Sequence, residues 1–356
     1  MTSLAVIRIA VVADTSLQRH ILQQFLLKQG YQVVLNSDPQ HLNLDFLQAC
    51  ETDLWLYGTE SSNDDDDDCI VLDYFLGEPR APVLFGEGSA PERSSEDYPR
   101  WERSLLKKIT HLTQHLGVVQ AVTDVPLVSM ANAVPEQRIE LPQCFSQPNG
   151  MPGPQAKQVW LLAASMGGPQ AVKAFLDMLP NGLPVGFIYA QHIDPHFEGS
   201  LPQAVGRHSE WPVRLISEHP CVREGEVVIA PVQHELKFSH DGYMRALETP
   251  WDGPYSPSIE QMMSNLAQHY GQNCGVIVFS GMGSDGSIAA EYVQQQGAPV
   301  WTQNADSCAC SSMPDSVRNA GCSSLSGTPR ALAQALVQYV SNQYSQHNDD
   351  IERKIS

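Results

Sequence analysis

The sequence predicts an α/β protein built from two domains, and three observations lead to this expectation. The chain has 356 residues, more than double the roughly 150 of a typical domain. Short apolar runs alternate with helical patterns in two separate stretches, which is the rhythm of parallel α/β domains. Prolines punctuate the stretch between them at a density that resists both helix and central strand. We therefore expect domains over residues 1–117 and 157–342, a linker over 118–156 and a polar tail over 343–356.

The first domain is predicted to contain four strands, over residues 7–12, 31–35, 53–57 and 82–85. A helix follows the first strand, with apolar residues at helical spacing from Leu17 to Leu26 and Gly30 at its end. Leu105, Ile109 and Leu112 mark a closing helix. The run from Asp64 to Asp68 interrupts the pattern. Because five adjacent carboxylates repel one another, a solvated loop is the preferred interpretation, with a cation site as the alternative.

Composition excludes several functional classes. Acidic residues outnumber basic ones 40 to 21, giving a net charge of −19, whereas binding to nucleic acid or an anionic membrane needs clustered Lys and Arg. No apolar run approaches the length of a membrane span, and Asp14 comes too early for the core of a signal peptide. The eight cysteines have no paired CxxC spacing. We expect a cytoplasmic protein with reduced thiols and no metal or cofactor.

The first chemical signal of the second domain is Ser165. An apolar run, Val159–Ala164, predicts a strand buried on both faces. The run stops at Ser165. After Met166, a tight turn into a helix is favoured by Gly167, Gly168 and Pro169. A serine at such a corner lies beside unpaired N–H groups that can stabilise an oxyanion, so it is a candidate nucleophile. The alternative is a serine that caps the helix.

A second strand, over residues 186–191, runs directly into His192. A serine nucleophile needs a neighbouring base at pH 7, and imidazole has a suitable proton affinity. His192 is favoured because it directly follows the end of a strand, as Ser165 does. His196 is the nearest competitor, whereas His234 and His269 lack this setting.

A third strand, over residues 275–279, leads into a glycine-rich turn that contains Asp285. Asp285 can hold an imidazole in the correct tautomer, or it can simply cap the helix predicted from Ile288 to Gly297. Parallel sheets bind ligands beyond the carboxyl ends of their strands, so Ser165, His192 and Asp285 are expected to converge in one crevice. Their order along the chain differs from the Ser…Asp…His order of α/β-hydrolases.

These residues, in this order, resemble the catalytic domain of the chemotaxis protein-glutamate methylesterases, the CheB family. The resemblance spans roughly residues 158–340. The matching segments are Ala164–Gly168, Gln191-His192, Ile229–Pro231, Ser256–Glu260, Gly281–Gly286, Gln303–Cys308 and Met313-Pro314.

The resemblance implies a doubly wound, mostly parallel domain that hydrolyses γ-glutamyl methyl esters of chemoreceptors and can deamidate receptor glutamines. It places Ser165 on the nucleophile, His192 on the base and Asp285 on the orienting carboxylate. Met282 falls where a backbone N–H faces the oxyanion. Met166, beside the nucleophile, stands where the family usually has threonine, so a hydroxyl is missing there.

The resemblance further implies a flavodoxin-like receiver domain at the N-terminus, but here the pattern degrades. Ala13 occupies one position of the usual acidic pair, and Gly58 stands where the phospho-acceptor aspartate belongs. Glu60 and the aspartate run lie nearby but out of register. Phosphorylation needs carboxylates that cradle Mg²⁺. We therefore expect a receiver-like domain without a phospho-acceptor.

Three hypotheses follow from these patterns. The first is an active receptor methylesterase, with chemoreceptors as substrates and a chemotaxis-type histidine kinase as a further partner. The second is a catalytically impaired adaptor that binds receptors or the kinase. The third is a general serine esterase that is indifferent to receptors. The intact set of Ser165, His192 and Asp285 favours an enzyme, because a scaffold has no need of all three.

Overall fold

The computed structural model describes residues 6–58, 66–77, 79–86, 90–91, 95–114, 138–146, 153–207, 209–216 and 221–355, with only the helical backbone for 66–69, 114 and 347–355. Most of the predicted linker, 118–137 and 147–152, lies outside these residues, as do Glu60, Asp64 and Asp65. Contacts divide the chain into two compact units, Met1–Glu136 with Ile193–Ser200, and Gln137–His192 with Leu201–Ser356. The bounds of the four predicted segments stay predictions.

The described part of the first unit contains a four-stranded parallel sheet with the order β2-β1-β3-β4. This is the order of the first four strands in flavodoxin-like sheets, and the receiver interpretation stays a prediction. The elements are β1 (Arg8–Ala13), α1 (Ser16–Lys28), β2 (Gln32–Ser37), α2 (Leu44–Ala49), β3 (Leu54–Gly58), α3 (Asp66–Leu76), β4 (Val83–Phe85) and α4 (Tyr98–Gln114).

The aspartate run does not form a loop along its whole length. Helix α3 begins at Asp66, so the described end of the run is helical. The solvated-loop prediction was wrong for this end. The apolar residues that follow the run explain the helix, because Val71 and Phe75 are fully buried, four positions apart on one helical face.

The described part of the second unit contains a seven-stranded sheet with the order β13-β12-β11-β5-β6-β8-β7. Every neighbouring pair of strands in it is parallel. The predicted α/β class with parallel sheets is therefore confirmed. The strands are β5 (Val159–Ala164), β6 (Gly186–Gln191), β7 (Val213–Leu215), β8 (Val227–Ile229), β11 (Cys274–Val278), β12 (Val300–Gln303) and β13 (Leu325–Gly327).

Helices and one hairpin complete this unit. The hairpin pairs β9 (Leu236–Phe238) with β10 (Met244–Ala246) in antiparallel fashion, apart from the main sheet. The helices are α5 (Gly168–Leu176), α6 (Leu201–Gly206), α7 (Ile259–Tyr270), α8 (Ala289–Gln295), α9 (Ser312–Asn319) and α10 (Pro329–Ile355).

The strand order fixes where a site can form. From β5 the chain adds β6, β8 and β7 on one side, and from β11 it adds β12 and β13 on the other. The neighbours β5 and β11 therefore flank the switch point, beyond whose carboxyl ends such sheets bind ligands. Every residue of β5, β6 and β11 is buried, as the unbroken apolar runs predict for strands covered on both faces.

The last described residues of the chain are helical. Residues 343–356 were predicted to be a polar tail, and α10 continues through them to Ile355. Its N-terminal half packs Leu332, Leu336 and Val340 into the core, and the helix then extends past this contact. Among the described residues, no helix is both long enough and apolar enough to cross a membrane.

Candidate active site

The carboxyl ends of β5 and β6 bring Ser165 and His192 side by side. Ala164, the last residue of β5, pairs with Gln191, the last residue of β6, in the parallel register of these strands. Ser165 and His192 are the residues that follow them. The backbone N–H of His192 donates to the carbonyl of Ala164 at 3.0 Å. Because neighbouring strands lie about 4.8 Å apart, the two side chains leave adjacent positions on one sheet edge.

The turn at Ser165 leaves its hydroxyl free of a capping role. Gly168 N–H donates to the Ser165 carbonyl at 2.9 Å and closes the turn. The N-cap of α5 is Gly167, with a φ of 74° and no side-chain hydrogen bond. The helix-cap alternative for Ser165 was therefore wrong. Among the described residues, the Ser165 hydroxyl makes no hydrogen bond.

His192 and Asp285 form the central pair of the site. Nε2 of His192 lies 2.9 Å from Oδ2 of Asp285, and their side chains are only 12% and 3% exposed. In the Ser-His-Asp template the carboxylate binds Nδ1 instead. Here Nδ1 is left over, and it makes no hydrogen bond within the described part of the chain. Nδ1 is therefore the ring atom available to accept a proton from the serine.

Asp285 binds the start of a helix, but not of the one that was predicted. Its carboxylate accepts the backbone N–H groups of Ile259 at 2.8 Å and Glu260 at 2.9 Å, at the start of α7. The following helix, α8, has Ile288 at its N-cap and no side-chain cap. The alternative that Asp285 caps its own helix was wrong. Two N–H groups and one imidazole around the carboxylate suit an anion held in a fixed orientation.

Glu260 returns this interaction across the same junction. Its Oε2 accepts the backbone N–H of Gly286 at 2.9 Å and of Ile288 at 3.3 Å. Asp285 thus binds backbone N–H groups at and next to Glu260, and Glu260 binds backbone N–H groups just after Asp285. Burial raises the pKa of Glu260, backbone hydrogen bonds from Gly286, Ala289 and Ile288 oppose this, and the charge of Asp285 raises the pKa further. The sequence analysis assigned no role to Glu260, although it lies in one of the matching segments.

The loop after β11 leaves a free N–H at Met282. The residues before and after Met282 both have partners. Gly281 N–H donates to the Cys310 carbonyl at 2.8 Å, and Gly283 N–H donates to Ser312 Oγ at 3.0 Å. Among the described residues, neither Met282 nor Met166 N–H has an acceptor. A Cβ on Gly281 would lie 2.9 Å from Cβ of Ser165. Glycine therefore lets this loop approach the serine closely.

Gln191 ties the serine turn to the histidine loop, and the sequence analysis did not assign it a role. Its Nε2 donates to the carbonyls of Ser165 at 2.7 Å and His192 at 2.9 Å. The Tyr189 hydroxyl donates to its Oε1 at 2.6 Å, and burial raises the pKa of Tyr189 well above its ordinary value. A polar residue that is only 4% exposed at a strand end is the signal that points to this function.

Ser280 performs a similar task for the Met166 turn. Its side chain is fully buried, and its Oγ donates to the Met166 carbonyl at 2.7 Å and accepts the Cys310 N–H at 3.0 Å. The Ser280 carbonyl accepts the Ser165 N–H at 3.0 Å. The signal for this role is a serine directly after a buried strand.

A cavity of about 410 Å³ opens beside the pair. Its walls include residues from the loop before α7, from α7 itself and from the turn after β11: Tyr255, Ser258, Glu260, Gln261, Ser284, Asp285 and Ile288. Among the described residues, no group of three or more His, Cys, Asp or Glu is arranged to hold a metal ion.

The competing histidines have other surroundings. His196 pairs through Nδ1 with Asp194 at 2.7 Å, and its side chain is 66% exposed. His234 is exposed. His269 stacks on Phe238 with ring centroids 5.3 Å apart, and burial lowers its pKa.

At the carboxyl edge of the first sheet, the last residues of β1 and β3 carry no polar side chain, and Asp14 follows β1. The register of β1 with β3 places Ala13 beside Gly58. Asp53 lies just before β3, at the opposite end of that strand, where Arg8 donates to it through its backbone N–H at 2.8 Å and its guanidinium at 3.2 Å. The absence of a phospho-acceptor stays a prediction.

Comparison with known proteins identifies the domain. Residues 160–336 match the family model of the CheB methylesterase. The protein-glutamate methylesterase/protein-glutamine glutaminase 1 of Saccharophagus degradans is 34% identical over 161 residues, which cover 45% of this chain and 44% of the relative. The similarly named protein 2 of Burkholderia pseudomallei is 27% identical over 66% of this chain and 63% of its own. The match therefore spans less than two thirds of either relative.

Other relatives match over more of their length. The protein-glutamate methylesterase/protein-glutamine glutaminase 5 of Myxococcus xanthus is 25% identical over 96% of this chain and 100% of its own. The crystal structure of the Thermotoga maritima CheB methylesterase catalytic domain is 24% identical, with a TM-score of 0.49 over 51% of this chain and 98% of that one. On the match to the family model, residues 160–336 form a CheB methylesterase domain.

Proposed function

We propose that the protein is a protein-glutamate methylesterase that uses Ser165 as its nucleophile, His192 as its base and Asp285 as the carboxylate that orients the base. Its substrates are γ-glutamyl methyl esters of methyl-accepting chemoreceptors, and it also deamidates receptor glutamines. The observation that carries this proposal is the 2.9 Å pair of His192 and Asp285 at the strand end next to Ser165. The family membership of residues 160–336 supports the substrate class.

The first half-reaction forms an acyl-enzyme. Nδ1 of His192 takes the Ser165 hydroxyl proton while Oγ attacks the carbonyl carbon of the ester. The free N–H groups of Met282 and Met166 are suited to bind the resulting oxyanion. When the tetrahedral intermediate collapses, the bond from carbon to the methoxy oxygen breaks, and the imidazolium returns the proton, so that methanol leaves.

The second half-reaction regenerates the enzyme. A water molecule gives one proton to His192 and attacks the acyl carbon, and Ser165 leaves with that proton, so that the glutamic acid side chain is released and then loses its remaining proton to solvent. A glutamine follows the same path, except that ammonia leaves in place of methanol. Asp285 stabilises the imidazolium in both halves. Because Met166 carries no hydroxyl, only its backbone takes part.

The partners and the cellular site follow from this substrate class. Methyl-accepting segments lie in the cytoplasmic part of chemoreceptors, so we infer that the enzyme works in the cytoplasm. A chemotaxis-type histidine kinase as a further partner stays a prediction. The general-esterase and adaptor hypotheses make different predictions for the same assay.

The test is methanol release from methyl-labelled receptor by the purified full-length protein, compared with Ser165→Ala. Ser345→Ala, which changes an exposed serine on α10, is the matched control. We expect release by wild type and Ser345→Ala and none by Ser165→Ala. Receptor binding without release would favour an adaptor. Hydrolysis of small esters such as p-nitrophenyl acetate without receptor turnover would favour a general esterase.

A further inference from the structure

An aromatic ring covers one face of His192. The rings of His192 and Tyr255 are parallel within 4°, with centroids 5.0 Å apart. This is the offset-stacked arrangement that aromatic pairs prefer. Asp285 binds the imidazole at its edge, through Nε2. The two contacts are perpendicular to each other, so together they restrict both the tilt of the imidazole and its rotation about χ2.

The loop that carries Tyr255 is itself anchored. Trp251 Nε1 donates to the Pro231 carbonyl at 2.9 Å, and Asp252 N–H donates to Oε1 of Gln261 at 2.9 Å. Farther along, Asp285 binds the N–H groups that open α7. The loop and the carboxylate that hold the imidazole are therefore joined, and Tyr255 has a defined position over the ring.

The tyrosine hydroxyl points toward the turn after β11. A Cβ placed on Gly283 would lie 3.1 Å from the hydroxyl oxygen of Tyr255. The ring thus spans the space between the base and the residue after Met282. A side chain at Gly283 would displace it, and the φ of 103° at this position also favours glycine.

We propose that Tyr255 is a positioning residue for His192, a role that rests on the proposed function. Its ring face holds the imidazole in the orientation that keeps Nε2 on Asp285 and leaves Nδ1 available for the serine proton, and the electron-rich face of the ring stabilises the imidazolium that forms in both half-reactions. The phenol hydroxyl takes no part. The ring therefore contributes to the chemical step and not to receptor binding.

This role predicts a defined pattern across three variants. Tyr255→Phe keeps the ring face, so its kcat stays within about twofold of wild type. Tyr255→Leu and Tyr255→Met keep an apolar cover but lose the ring face, and each lowers kcat by roughly 3- to 30-fold with KM unchanged. Thermal melting of all three variants identifies any variant that fails to fold. If Tyr255→Leu fails to fold, Tyr255→Met takes its place in the comparison.

The experiment measures kcat and KM with methylated receptor, and separately the rate at which a fluorophosphonate modifies Ser165. The second readout needs no receptor, so a loss of modification rate in Tyr255→Leu supports the role even if receptor turnover is absent. The proposal is overturned if the fluorophosphonate modifies Ser165 in Tyr255→Leu and in Tyr255→Met at the wild-type rate. It is also overturned if kcat falls as far in Tyr255→Phe as in Tyr255→Leu, or if the variants change KM and not kcat.

Discussion

The two parallel sheets of this chain differ most at their carboxyl edges. In the first, the register of β1 with β3 places Ala13 beside Gly58, two residues without a polar side chain. In the second, the register of β5 with β6 delivers Ser165 and His192 to adjacent positions. The two edges also differ in the residues that follow the strands, because Ser165 and His192 follow β5 and β6, whereas Asp14 follows β1 and β3 ends at Gly58. The same architecture thus carries a serine and a histidine side by side at one edge and no such pair among the described residues at the other, so function depends on these residues and not on the fold alone.

The largest effect is expected from removing the base of the second edge. His192→Ala leaves Ser165 without a proton acceptor, so receptor demethylation should fall by roughly 10⁴- to 10⁶-fold. Initial rates of methanol release, with the melting temperature as a check on folding, measure this change. His234→Ala is the matched control, because that histidine is exposed. Turnover near the wild-type level in His192→Ala would remove the contrast between the two edges.

Asp285→Asn should have the next largest effect. The amide cannot supply the negative charge that stabilises the imidazolium, so kcat should fall about 10²- to 10⁴-fold. The oxygen of the amide still accepts a hydrogen bond from the start of α7, so most of the structure should survive. Steady-state kinetics separate kcat from KM. Full activity would reduce Asp285 to its structural role at the N-terminus of α7.

Glu260 tests how the second edge is held, because its carboxylate binds the backbone that follows Asp285. Glu260→Ala leaves the N–H groups of Gly286 and Ile288 without their acceptor. We expect kcat to fall about 3- to 10-fold and stability to fall by about 1 kcal/mol. Glu260→Gln keeps an acceptor oxygen and should retain most of the activity. If both variants lose stability but keep wild-type kcat, Glu260 does not position Asp285.

The smallest effect is expected from a phosphodonor. Because Gly58 cannot accept phosphate and Ala13 cannot help to hold Mg²⁺, acetyl phosphate with Mg²⁺ should leave the full-length esterase rate unchanged. Mass spectrometry of the treated protein checks the chemistry directly. Stimulation together with a phosphoaspartate in residues 1–117 would contradict the comparison. Asp53 and Asp73 would then be the first suspects, although Asp53 is bound by Arg8.

Much of the second unit could be predicted from local patterns. The strands that carry Ser165, His192 and the loop of Asp285 are long and apolar, so sequence located each of them. Strands β7 and β13 are only three residues long, too short for a periodic signal. The prediction was also incomplete where partners lie far apart in sequence. Asp285 and α7, for example, are joined by hydrogen bonds that span 25 and 26 residues.

The positioning residues were missed for a related reason. Tyr255 and Glu260 act through contacts with a ring face and with backbone groups, and such contacts leave no spacing pattern in a single sequence. Gln191 and Ser280 stand at strand ends, but their partners lie in other loops. Composition predicted a polar tail over residues 343–356, but composition alone could not show that α10 continues through it to Ile355. The ring orientation of His192, with Nε2 toward Asp285, likewise depends on three-dimensional placement.

The most direct test of the contrast between the edges is to find which serine is the nucleophile. Full-length protein is treated with a fluorophosphonate, digested and mapped by mass spectrometry, beside His192→Ala and Ser165→Ala. We predict one adduct, on Ser165, formed much more slowly in His192→Ala and absent in Ser165→Ala. An adduct on another serine, or equal labelling in Ser165→Ala, would contradict the placement of the hydrolase site at the ends of β5, β6 and β11.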